Sequence, residues 1–156
     1  MRLQVQLARE GWEAIWPEVN ELATLHAGEV ERGVEPRRRF KIDAARMQQA
    51  SDAGVLRIYT ARRGSKLVGY LTWQVMLDVE SEGLLIAQQG AWYVAPGNPK
   101  VALELFEYSL ASLKLAGVQC CFPHHRTQGR GAGLGKFFAR WGAKRIQETY
   151  LLWIGD

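Results

Sequence analysis

Pro96-Gly97-Asn98-Pro99-Lys100 stands between an aromatic and β-branched run, Ala91 to Val94, and a helical pattern beginning at Pro99. Pro99 suits the first helical position, where its missing N–H costs nothing. A strand, a tight turn and a helix start aim backbone N–H groups and a positive dipole end at one spot. That geometry suits a phosphate or another anion. Acid–base chemistry has separate candidates. His26 and Glu29 lie about one turn apart in a helical stretch, Asp78 and Glu80 precede a turn, and His124 and His125 follow a later strand. Each type can hold or release a proton near neutral pH when its surroundings tune it. The plainer uses, a partly buried histidine with one hydrogen bond or a solvated helix-end glutamate, are the commoner ones. Arg37-Arg38-Arg39, in a loop with Pro36, offers a basic surface that permits weak, non-specific nucleic-acid binding fading with salt.

A chain of 156 residues fits one domain, 1–156, and can bury a core. Hydrophobic residues make up 47% and charged residues 23%, which excludes a disordered chain. The net charge of +4 is compatible with anionic partners and equally with simple solubility. No apolar run approaches the ~18 residues of a membrane span, so no membrane partner is expected. The N-terminus, MRLQVQLAREGWEAIW, lacks the sustained apolar core of a secretory signal. Cys120 and Cys121 are adjacent and on a strand would point to opposite faces, so no disulfide framework arises and no metal site is expected. A reduced, cytoplasmic protein is the simplest expectation.

The elements that must position these residues follow from periodicity. A first strand is expected over Arg2–Leu7, then a helical region that Pro17 either starts or divides, with Val19, Leu22, His26 and Val30 on one face. A second helix is expected over Ile42–Ala53, ending at Gly54. Three strands follow as a meander: Val55–Arg62, a long one from Ser65 or Lys66 to Glu80, and about Leu84–Ala95. Next come a helix from Pro99 to about Ala116, with Leu103, Phe106, Leu110 and Leu113 as its apolar stripe, and a strand Val118–Phe122. The Gly-rich link at 128–135 leads to a short helix Leu134–Trp141 and a last strand Arg145–Ile154. This order describes an α/β protein, a mixed sheet with helices on its faces.

On these residues the chain resembles the GNAT family of N-acetyltransferases over its whole length. GVLRIYTARRGSKLVGYLTW (54–73) resembles the family's second and third strands, and AWYVAPGNPK (91–100) its fourth strand and coenzyme loop. KFFARWGAKRIQETYLL (136–152) resembles its last helix and closing strands. The pattern is particularly similar to GNAT-like proteins of bacteriophages and their hosts, which would place a phage-encoded chain in the host cytoplasm. The resemblance implies a central mixed sheet with splayed fourth and fifth strands, holding acetyl-CoA as co-substrate in the gap.

Carried over, Tyr93 and Val94 would bind pantetheine through their main chain and help polarise the thioester carbonyl. Gly97, Asn98, Pro99, Lys100, Val101 and Ala102 would form the phosphate loop, with Lys100 as an added cation. Glu29 and His26 would be the leading bases toward an amine acceptor: a small molecule, a protein lysine or a modified nucleotide. Glu29 stands ahead because that helix commonly lines the family's acceptor cleft. Two positions depart from the pattern. The loop has no glycine after Gly97, and Phe138 stands where the family often carries a tyrosine that protonates the departing thiolate. The departures define an alternative: a catalytically inactive, GNAT-like binding protein acting on a host protein or nucleic acid. QGRGAG (128–133) also spells a coenzyme loop, but too little chain follows it for the remaining elements, so the first register is preferred. A homodimer is compatible with the resemblance.

Overall fold

Period-two alternation builds the centre of the molecule. The computed structural model describes residues 4–30, 41–125, 133–147 and 154. Its elements are β1 (Val5–Glu10), α1 (Trp12–Val30), α2 (Ala44–Asp52), β2 (Leu56–Arg63), β3 (Lys66–Leu77), β4 (Leu85–Val94), α3 (Pro99–Leu115), β5 (Cys120–Phe122) and α4 (Leu134–Arg140). They divide into two compact units, Met1–Pro123 and His124–Asp156. In the first, the five strands lie in sequence order, β1 to β4 antiparallel and β5 parallel to β4.

Helices cover both faces of this sheet. Leu56 and Ile58 of β2, Tyr70 of β3 and Tyr93 of β4 pack with Trp12, Ile15, Val19, Leu22 and Ala23 of α1. On the other face Tyr59 donates to Ser112 Oγ at 3.1 Å, Trp73 Nε1 donates to Ser109 Oγ at 3.1 Å, and Trp92 stacks on Phe106. The expected stripe of α3 is corrected here. Val101, Leu105, Phe106, Ser109 and Leu113 are its buried residues, whereas Leu103 is 41% exposed. Hydrophobicity alone passes over Ser109, which is buried because the indole N–H of Trp73 needs an acceptor.

Three further expectations change. α1 runs unbroken through Pro17. The lost hydrogen bond and ring crowding are offset by an apolar stripe that continues on both sides of the proline. β1 is shifted to Val5–Glu10, with Glu10 opposite Ile58. Glu10 receives Arg62 Nε at 3.1 Å and the Thr60 hydroxyl, while Arg62 Nη1 also reaches Glu18 at 2.9 Å. The hydrogen bond that Arg62 donates to Glu10 leads in holding the guanidinium protonated beyond its ordinary range. Finally, 145–147 form no strand, and most of the expected last strand lies outside the described residues.

The β3–β4 ladder has one irregularity, and it matters for the site. Leu71 pairs with Trp92 but Trp73 pairs with Gln89, so Thr72 faces two residues, Gly90 and Ala91. Thr72 Oγ1 accepts from Ala91 N–H at 2.8 Å, satisfying the bulged strand. A Cβ on Gly90 would run into that same hydroxyl. Gly90→Ala should therefore destabilise the fold by about 1–3 kcal/mol through overpacking. Gly28→Ala should do the reverse, gaining about 0.5–1 kcal/mol. Its new methyl meets nothing within 4 Å on helix α1. Denaturant melts of the two variants check the opposed signs.

Candidate active site

β4 outruns its neighbour. β5 pairs only with Ile86, Ala87 and Gln88, and the next residue after Phe122 is Pro123, which has no N–H to extend the ladder. β4 itself continues to Val94, with its β3 ladder reaching Val94 opposite Gly69. β4 thus runs on past the end of its ladder with β5. The bulge fixes which way its main chain faces. Ala95 N–H bonds Val68 O at 2.9 Å on the β3 side, and alternation sends the main-chain groups of Tyr93 the same way. Those of Trp92 and Val94 face the opposite edge. Of the two expected main-chain partners, Val94 thus faces away from β3 and Tyr93 faces β3. Gly90 in mid-strand was the available signal, since such a glycine often marks a bulge that shifts the phase.

Past Val94 the chain turns at Gly97, whose φ of +84° demands a glycine-like conformation, and enters α3 with Pro99 at its first turn. Asn98 is the N-cap residue but does not cap. Its Nδ2 donates back to Ala95 O at 3.0 Å and Pro96 O at 3.1 Å. The first turn of α3 carries no acidic side chain. By contrast Asp43 caps α2 at Arg46 N–H, 3.1 Å, and α1 has Glu13 in its first turn. The start of α3 is therefore bare of intrinsic anions, with Lys100 exposed beside it. Such an end favours a bound anion.

Above this part of the sheet, the last two turns of α1 assemble an acid–base cluster. Tyr93 OH donates to Glu29 Oε1 at 2.8 Å. The His26 ring stacks on Tyr93, with centroids 5.0 Å apart, and its Nδ1 shares a hydrogen bond of 3.1 Å with Tyr70 OH. Burial first, then Tyr93, raises Tyr70 beyond the ordinary tyrosine range, so its phenol stays neutral. The structure thus brings His26 and Glu29 together through two tyrosines that sequence reading gave no side-chain role. Asp78 and Glu80 are not part of this. They sit in the β3–β4 turn, at the far end of β4 from Val94, where Asp78 Oδ1 accepts from Glu80 N–H at 2.9 Å.

Elsewhere the first unit has a groove of about 560 Å³ lined by Leu110, Lys114, Gly117 and Cys121 among others, at the opposite end of α3 from Pro99. Burial pushes the Cys121 thiol there up to about 11, so it is a poor nucleophile at neutral pH. In the second unit Phe138 is buried, 6.1 Å between ring centroids from His125, and Gly135 packs closely on that imidazole. His124 belongs to the same unit. Arg37–Arg39 and the Gly-rich residues 128–132 lie outside the described residues.

No family model and no curated protein matches the sequence. Solved structures do match. A ribosomal-protein-alanine N-acetyltransferase from Brucella melitensis superposes with a TM-score of 0.70 at 16% identity, over 97% of this chain and 100% of that one. An aminoglycoside acetyltransferase from an uncultured soil metagenomic sample gives 0.73 at 15% identity, over 98% and 100%. This chain has the GNAT fold. A predicted acetyltransferase from Clostridium acetobutylicum, solved with acetyl-CoA, gives 0.67 at 12% identity, over 96% of each chain. No described helix is long and apolar enough to cross a membrane.

Proposed function

We propose that the chain is an acetyl-CoA-dependent N-acetyltransferase acting on a primary amine. The observation that carries this reading is that β4 runs on past its short ladder with β5 into a turn and an α3 N-terminus with no acidic side chain. The pantetheine arm is assigned to the edge of β4 past its ladder with β5, beside Trp92 and Val94. The pyrophosphate fits at the turn and first turn of α3, Gly97 to Ala102, with Lys100 as an added cation. Asn98, turned back on Ala95 and Pro96, leaves that end open to it. Glu29 is assigned as base, with His26 holding the neighbouring ring. The amine attacks the thioester carbon, Glu29 takes its proton, and an N–H of Trp92 or Val94 polarises the carbonyl.

The structural neighbours support the coenzyme and the reaction class, not the acceptor. Aminoglycosides and the alanine of a ribosomal protein are the acceptors to try first, because the matched acetyltransferases carry those names. The kinship with bacteriophage proteins rests on motif spelling alone, and a cytoplasmic site of action on composition. Acetyl-CoA at 100 times its Kd should stabilise the protein by about 2.7 kcal/mol. At about 2–4 °C per kcal/mol, the melting temperature should rise by about 5–11 °C. An unmoved melting curve, with no heat in calorimetry, would favour the binding-protein alternative.

A further inference from the structure

Acetyl transfer from a thioester needs a proton for the departing thiolate. β4, the strand along which the pantetheine is placed, carries one ionisable proton donor between Leu85 and Val94: Tyr93. Its hydroxyl already donates to the carboxylate assigned as base, at 2.8 Å. We infer that the Tyr93 phenol is the general acid of the reaction and that Glu29 recharges it, so that one hydrogen-bonded pair serves both proton transfers. The inference rests on the acetyltransferase reading above.

The proton balance closes within the pair. The amine nitrogen forms the N–C bond and the C–S bond breaks. The amine proton goes to Glu29, which becomes a carboxylic acid. Tyr93 gives its phenolic proton to sulfur, and the carboxylic acid then returns a proton to the phenolate. Both residues end as they began, and the net change is one proton moved from amine to thiol. The order is dictated by charge. A phenolate facing an ionised Glu29 would be two like charges at hydrogen-bond distance, so Tyr93 can release its proton only once Glu29 has been protonated. Thiolate capture is thereby tied to amine deprotonation.

The neighbours keep the phenol in place. His26 stacks on its ring, and Tyr70 holds His26 through Nδ1 while itself staying neutral. These two are positioning residues. Tyr93 is 5% exposed, so its ring has little freedom, and Tyr93→Phe keeps the ring, the packing and the fold while removing only the hydroxyl.

The test uses the full chain, acetyl-CoA and the best amine of an aminoglycoside and peptide panel, or water as acceptor where no amine is turned over. Tyr93→Phe should lower kcat by about 100-fold, within the range for general acid–base catalysis. Its acetyl-CoA Kd by calorimetry should stay within twofold of the wild type. Replacing Tyr93 with 3,5-difluorotyrosine, a more acidic phenol of similar shape, should move the alkaline limb of the kcat profile to lower pH. A residue that merely braces Glu29 would leave that limb in place. Retention of more than a third of kcat by Tyr93→Phe, or an unshifted limb in the fluorinated protein, overturns the inference while leaving the acetyltransferase reading intact. A wild-type protein that binds no acetyl-CoA overturns that reading, and the inference with it.

Discussion

Lys100→Glu should weaken acetyl-CoA binding by about 100-fold at low salt, roughly 2.7 kcal/mol, while making the free protein slightly more stable. The opposed signs come from one helix end. The first turn of α3 has no acidic side chain and no side-chain cap. A glutamate there meets the positive end of the helix dipole and should gain about 0.3–1 kcal/mol in the ligand-free fold. The same carboxylate would stand where the pyrophosphate is placed and would replace an attractive charge with a repulsive one. At a few ångströms and surface-like dielectric, each unit charge pair is worth about 1–4 kcal/mol. Lys100 is exposed, so the larger figure is discounted for solvent, and the loss should shrink toward tenfold at 1 M salt, where the Debye length falls to about 3 Å. Calorimetry across a salt series and a melting curve without ligand measure both effects. Equal affinity of mutant and wild type would remove the coenzyme from this end of α3.

How far this site could be read from the sequence depends on which force placed each part. β2, β3 and α3 begin and end within about three residues of expectation, because turn glycines mark their ends. Gly64 and Gly117 have φ of +61° and +85°, conformations that other residues rarely adopt. Pro17 is where local preference gave way to packing, since a buried stripe on both sides carries α1 on through it. At the site itself, the turn at Gly97–Pro99 was legible because glycine and proline carry their backbone geometry with them. The phase of β4 was not. The two-for-one count opposite Thr72 exchanges the edges that the main chains of Trp92 and Tyr93 face, and it is set by cross-strand register, which no local pattern contains. The union of Glu29 with Tyr93 joins residues 64 positions apart and depends on how α1 lies across the sheet.

Glu29→Gln should cost acetyl transfer a factor of about 100 or more in kcat, with acetyl-CoA affinity unchanged. The substitution is chosen for what it keeps. The amide oxygen of glutamine can still accept from Tyr93 OH, so the contact at 2.8 Å has a successor and the aromatic stack with His26 stays supported. Only the capacity to take a proton is lost. Stability should move the other way. Glu29 is the penultimate residue of α1, and the last turn of that helix has no basic side chain. A carboxylate there opposes the negative end of the helix dipole, so neutralising it should gain about 0.3–1 kcal/mol. Proton transfer needs a negative charge at this point over β4 despite its cost against the helix dipole. A higher melting temperature with kcat down 100-fold would fit a base. Unchanged kcat would pass the role to His26, and a lowered melting temperature would show that Glu29 is there to hold the helix end.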